Sequence, residues 1–187
     1  MSDSTAEERV AVVLDIFPNG RSDGRHGSRP MAYALDVRDF TLKEVVFEET
    51  PEVGMDDELV VEPPGDEIRG VYPVEYEDIS GSAQSELEYI VEELVEAKED
   101  RFVAFYNDAQ PITLRLHQLN LLPGIGKKLR NTILDERKRK PFESFEDLEE
   151  RVKGLHDPVG VLVERILEEV REDDLKYKTF VGRDEDA

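Results

Sequence analysis

Leu121 to Leu134 reads LLPGIGKKLRNTIL: two apolar runs, the turn Pro123-Gly124-Ile125-Gly126 between them, and then Lys127, Lys128 and Arg130. Two glycines around one apolar residue make a hairpin whose backbone can come close to a ligand. Ile125 plugs the space between the flanking segments. The spacing predicts a short helix carrying Leu116, Leu119 and Leu122, then a second helix from about Lys127 with Leu129, Ile133 and Leu134 inward. The amides of the turn and of the second helix's first turn then face outward, and helix N-termini attract anions. Lys127 and Lys128 stand where the helix dipole disfavours cations, which a bound phosphate would explain.

Charge around the hairpin points the same way. Between Gln110 and Phe142 there are eight basic and two acidic residues, in a chain whose formal net charge is -21. A positive island in so acidic a chain implies a polyanionic partner. The run Arg137 to Lys140 also suits the C-terminal end of its helix on dipole grounds, so it has a structural reading as well.

Moving toward the C-terminus, PFESFEDLEERVKGL places Ser144 as an N-cap for a helix containing Phe145, Leu148 and Val152. VKGLHDPVGVLVERILEEV then reads as a second hairpin. It keeps Gly154 and an amphipathic helix through Val159, Leu162, Val163, Ile166 and Leu167, but His156-Asp157-Pro158 replaces the second glycine. That copy is expected to be structural and not to bind phosphate.

Toward the N-terminus, SAQSELEYIVEELVEAKEDRF sets Leu87, Ile90, Val91, Leu94 and Val95 on one helical stripe, with Ser82 as N-cap and a solvated glutamate face opposite. FVAFYNDAQP follows as a dense apolar patch, and Pro111 closes it. Before Ser82 the period is two. RVAVVLDIFP alternates through Val10, Val12, Leu14 and Ile16, and MAYALDV through Met31, Tyr33, Leu35 and Val37. DFTLKEVVFE slips phase between Leu42 and Val45, as a bulge or a second buried face would require. DELVVEP and IRGVYPVEYEDI complete five short strands. The loop NGRSDGRHGSRP carries Arg21, Arg25, His26 and Arg29.

Five strands with turns between them predict a small barrel of the oligonucleotide-binding (OB) kind, with an SH3-like barrel as the alternative. The expected fold is therefore α+β. A five-stranded β-barrel domain spans 1–79, a connecting helix 80–110, and an all-α helix-hairpin-helix domain with a degenerate second hairpin 111–187.

Composition bounds the rest. The 187 residues are 39% hydrophobic and 37% charged, enough for one large domain or two small ones. Periodic apolar segments along nearly the whole chain exclude general disorder. The sequence holds 15 arginines and 9 lysines against 45 acidic residues. Such a lysine-poor, carboxylate-rich surface resembles the proteins of salt-loving archaea. There is no cysteine for a disulfide or thiolate site. The opening MSDSTAEERV has no signal-peptide core, and no apolar run reaches the ~20 residues that span a bilayer. A soluble, cytoplasmic protein with no membrane association is expected.

LDIFPNGR, FTLKEVVFE, IVEELVEAKEDRFVAFYNDAQPITLRLHQLNLLPGIGKKL and ERKRKPFESFEDLEERV together resemble an archaeal two-domain family of proposed RNA-binding proteins, catalogued as domain of unknown function 655. The hairpin, with Leu122, Gly124, Ile125, Gly126, Leu129 and Ile133 in register, resembles the helix-hairpin-helix motif of nucleic-acid-binding proteins. The resemblance implies a barrel related to the OB fold followed by a helix-hairpin-helix unit, and no established activity.

Catalytic groups are sparse. His26, His117 and His156 lie far apart, and no Walker loop, GxSxG or dinucleotide fingerprint occurs. Acidic pairs such as Asp56-Asp57 and Asp173-Asp174 occur by chance in so acidic a chain. No enzymatic activity, cofactor or metal is expected. Three functions remain: an RNA-binding protein, a DNA-binding accessory factor in repair or recombination, and a protein-interaction adaptor whose hairpin only packs. RNA is favoured over DNA. The expected nucleic-acid contacts are Gly124, Ile125, Gly126, Lys127, Lys128, Arg130 and Arg137 at the hairpin, with Arg21 and Arg25 in the N-terminal loop. Tyr33, Phe40, Tyr72 and Tyr76 are the candidate base-stacking residues.

Overall fold

A computed structural model describes residues 7–22 and 24–182. Part of the polar N-terminal stretch and the last five residues of the expected C-terminal domain lie outside them. Five strands, β1 (Arg9–Phe17), β2 (Met31–Asp36), β3 (Leu42–Phe47), β4 (Glu58–Glu62) and β5 (Ile68–Pro73), precede five helices. The helices are α1 (Gly81–Ala97), α2 (Glu99–Asp108), α3 (Lys127–Arg139), α4 (Phe145–Arg151) and α5 (Pro158–Arg171).

The class is α+β, but the expected barrel is corrected. All five strands form one antiparallel sheet in the order β4-β1-β2-β3-β5. The sheet curls far enough for Leu59 and Val61 of β4 and Ile68 of β5 to share a core with Val13, Ala34 and Val45. It remains a half-barrel, because the ladders run β1–β2, β1–β4, β2–β3 and β3–β5 and none joins the outer strands. Pro63 and Pro64 follow β4 directly and Pro73 ends β5. Prolines have no N–H to give a closing ladder. The phase slip in β3 reflects burial on both faces, since Val45, Val46 and Phe47 are all buried, and the register also shifts between Val46 and Phe47.

An all-α C-terminal domain is corrected too. The chain divides into one unit of Met1–Ile90 with Val170–Ala187, and a second of Val91–Glu169. The C-terminal segment therefore belongs with the sheet, where the Gly182 N–H donates to the Asp39 carbonyl at 2.9 Å. The second unit also holds a β-bridge, Pro111 with His117.

Local signals shift slightly. Helix α1 is capped by Ser80, not Ser82, since the Ser80 hydroxyl accepts the Ala83 N–H at 3.1 Å and donates to Asp15 at 2.6 Å. The expected long helix breaks at Lys98 into α1 and α2. Ser144 caps α4 as read, accepting from the Asp147 N–H at 2.9 Å.

Candidate nucleic-acid interface

The helix expected before the glycine turn shrinks to one 3-10 turn, Gln118–Leu121. His117 caps it: its Nδ1 accepts the Leu119 N–H at 3.1 Å, and the Asn120 side chain accepts the His117 N–H at 3.0 Å. Leu119 and Leu122 are fully buried and pin this turn. The chain then reverses at Gly124, whose φ of +81° lies in the left-handed region that glycine enters without a Cβ penalty. Ile125 is 4% exposed, so the apolar residue between the glycines does plug the core.

Gly126 is the N-cap of α3. It has no side chain to satisfy the helix end, and the first intrahelical bond is Arg130 N–H to the Gly126 carbonyl at 2.9 Å. The N–H groups of Lys127, Lys128 and Leu129 precede that bond and are the open donors of the helix start. No acidic residue stands in this first turn. Lys127 and Lys128 are exposed beside the open donors.

The second hairpin joins the same cleft. A space of about 440 Å³ is lined by Gly124, Gly126, Lys127, Lys128, Leu129, Thr132, Lys153 and Gly154. Gly154 has φ +100° and packs toward Leu129. Its helix, however, is already capped: the Asp157 carboxylate accepts the Gly160 N–H at 2.8 Å, so a negative charge of the chain itself occupies the start of α5. The cleft thus combines one open helix start with three lysines drawn from two hairpins. Lys153 was not legible as a site residue, because its hairpin lacks the second glycine.

Other expected contacts have structural work. Arg130 donates to the Asn120 side chain at 3.0 Å and to the Arg115 carbonyl at 3.4 Å. Arg137 donates to the carbonyls of Tyr106 and Ala109 at 3.2 and 3.0 Å, closing the C-terminal end of α2. Burial lowers the pKa of Arg137, with Asp108 opposing that shift. His117 is also held below its ordinary value by burial, then by Arg137 and Arg130.

In the sheet unit, Arg21 donates to the Tyr33 hydroxyl at 2.6 Å and the Asp78 carbonyl at 3.0 Å. Arg25 is exposed and lines a small cavity of about 150 Å³ with Arg21, Tyr33 and Glu44. His26 stacks on Tyr72 at 5.0 Å and lies 3.4 Å from the Glu44 carboxylate. Of the stacking candidates, Tyr33 and Phe40 are buried, and Arg171 lies over the ring of Tyr76 at 5.6 Å. Tyr72 alone of the four is exposed, at 42%. Among the described residues no group of three or more His, Asp or Glu is placed to hold a metal ion. Nor is any helix there long and apolar enough to cross a membrane.

These features define an α+β protein with a curled antiparallel sheet and a helical unit that presents a lysine-lined glycine hairpin. The chain belongs to the DUF655 family, described as proteins of unknown function, whose model matches residues 7–182. It is 37% identical over 179 residues to the uncharacterized protein MJ0038 of Methanocaldococcus jannaschii, covering 93% of this chain and 80% of that protein. The crystal structure of Af1531 from Archaeoglobus fulgidus, assigned to the same family, is similar with a TM-score of 0.83 and 37% identity. That likeness covers 94% of this chain and 100% of the other.

Proposed function

We propose that this protein is a non-catalytic nucleic-acid-binding protein that grips backbone phosphates through a helix-hairpin-helix motif with a shortened first helix. The observation that carries the reading is the open start of α3: a glycine N-cap, unsatisfied first-turn amides, and Lys127 and Lys128 against the dipole. An anion at that point satisfies the amides and reverses the unfavourable placement of the lysines. Lys153 adds a third cation to the same cleft. Arg130 and Arg137 serve this site by holding its scaffold, through the contacts described above. RNA is favoured over DNA because the sheet unit offers the exposed ring of Tyr72, stacked on the half-buried His26 and with the exposed Arg25 next to His26 in the chain, a combination suited to unpaired bases. The protein works in concentrated salt and in the cytoplasm on this reading.

The test is binding of labelled single-stranded RNA, structured RNA and duplex DNA by the wild type and by Gly126→Glu. Gly126 has φ -89°, and nothing lies within 4 Å of a Cβ built there, so the variant is expected to fold. RNA binding lost in Gly126→Glu supports the clamp. Preference for duplex DNA moves the protein to repair or recombination, and no binding to any of the three makes the hairpin a packing element.

A further inference from the structure

Ahead of the hairpin, residues 111–117 form a small closed knuckle. A β-bridge joins Pro111 to His117, and the Leu116 carbonyl accepts the Ile112 and Thr113 N–H groups at 2.7 and 2.9 Å. The Thr113 hydroxyl accepts the N–H of Leu116 at 3.0 Å and that of Arg115 at 3.3 Å. At the neck, the Gln118 side chain accepts the Gln110 N–H at 2.8 Å. So many local bonds in so few residues hold the tip in one shape.

Leu114 stands at that tip with a relative exposure of 107%, against 65% for Tyr89, the next most exposed large apolar residue described. A singly exposed leucine is ordinary by itself; Leu114 differs in being wholly exposed at the tip of a loop that local hydrogen bonds hold in one shape. Its surroundings are cationic. Arg115 is exposed, and its carbonyl accepts from Arg130, which sits in the first turn of α3 beside Lys127 and Lys128. Arg130 also bonds Asn120, and Asn120 bonds the Ile125 carbonyl at 3.1 Å, so the knuckle is tied to the hairpin by a continuous chain of side-chain contacts.

An apolar point next to amides and cations matches a polyanion that also exposes apolar planar faces. Nucleic acid does so wherever bases are unpaired, and inserted aliphatic side chains are an established way of engaging an opened base step. We propose that Leu114 is a wedge that packs against unpaired bases while the Gly124–Lys128 hairpin holds the neighbouring phosphate. The wedge rests on the nucleic-acid reading above and narrows it: the preferred ligand has an unpaired step beside a backbone clamp, as in an RNA loop or bulge.

The test uses the full chain and two RNAs of equal length, one a complete duplex and one with an unpaired segment carrying 2-aminopurine. Wild type, Leu114→Ser, Leu114→Phe and Gly126→Glu are compared, with thermal melting to confirm that each is folded. The wedge predicts a fluorescence change on the looped RNA, about tenfold weaker binding of that RNA by Leu114→Ser, and near wild-type affinity for the duplex. Leu114→Phe retains the looped-RNA affinity, because it keeps an apolar tip. Gly126→Glu weakens both RNAs. Equal affinity of Leu114→Ser and wild type for the looped RNA, with Gly126→Glu still impaired, overturns the wedge and leaves the clamp standing. Absence of RNA binding by the wild type overturns both, and Leu114 then becomes a contact for a protein partner.

Discussion

The side-chain amide of Asn120 donates to the carbonyl of Ile125 at 3.1 Å, across the glycine turn. The same side chain accepts from the His117 N–H and from Arg130, each at 3.0 Å. One asparagine therefore fixes the 3-10 turn, the apolar plug and the first turn of α3. Asn120→Ala removes all three bonds from a half-buried site, and each such bond contributes on the order of 0.5–1.5 kcal/mol. The variant should lose about 2 kcal/mol in urea denaturation and bind RNA more weakly, because Arg130 and the turn amides lose their common anchor. Wild-type stability in Asn120→Ala would show that the turn holds its shape without it.

The two glycines of the turn separate folding from binding. Gly124 has φ +81°, so alanine is strained there although nothing lies within 4 Å of its Cβ. Gly124→Ala is expected to cost about 1 kcal/mol. Gly126 has an ordinary φ of -89° and equally open space, so Gly126→Ala loses only the preference of an N-cap for glycine over alanine, roughly 0.5 kcal/mol. Its methyl group instead stands where a phosphate would approach the backbone. Comparing melting curves with RNA titrations for the two variants checks this: Gly124→Ala moves the melting curve further, and Gly126→Ala moves the binding curve. A Gly126→Ala protein with full affinity would sink the backbone-contact model.

Much of this was legible in the sequence, for physical reasons that differ by element. Strand positions followed from the period-two alternation of apolar residue types, although β2 is buried at every position and the shared core takes Ala11, Val13, Ala32 and Ala34 from between the alternating residues; the Gly124–Gly126 turn followed from residue types that few other conformations require. Closure of the sheet was not legible, because periodicity reports which residues are buried and not which edges pair. The prolines after β4 were visible in the sequence, and their missing N–H groups were the available clue. Return of the chain after α5 to the sheet unit left no periodic trace, since residues 172–182 have little regular structure. Arg130 and Arg137 looked like free cations because sequence gives charge without giving hydrogen-bond partners. Asn120 was missed for the same reason, as nothing in LHQLNLLPG marks that one side chain for three bonds.

His117 makes the hairpin sensitive to acid. Burial, then Arg137 and Arg130, hold its pKa below the ordinary 6.5. Its Nδ1 accepts the Leu119 N–H at 3.1 Å, a bond that exists only while that nitrogen is unprotonated. A histidine whose folded pKa is depressed contributes stability that is fully present above pH 6.5 and is lost as pH falls from there through the folded value. The denaturation midpoint of the wild type should therefore drop below pH 6.5 relative to His117→Asn, which keeps a capping acceptor that does not titrate. Parallel midpoints for the two proteins across that window would remove His117 as the source of acid sensitivity.

Salt distinguishes close contacts from long-range attraction. At molar ionic strength the Debye length is about 3 Å, so charges that act at a distance are screened while hydrogen-bonded contacts are not. Lys138, Arg139 and Lys140 are exposed, and Arg139 and Lys140 already meet Glu136 and Glu143 at 3.1 and 3.2 Å. Replacing these three by glutamine should weaken RNA binding several-fold in dilute buffer and have little effect in about 2 M KCl. Gly126→Glu places its carboxylate directly in the cleft and should impair binding at both salt levels. Arg137 is left intact in this comparison, because its bonds to Tyr106 and Ala109 make its loss a folding defect. If the triple variant and Gly126→Glu lose equal affinity in concentrated salt, binding depends on the basic run rather than on the hairpin amides, and the site moves to the far end of α3.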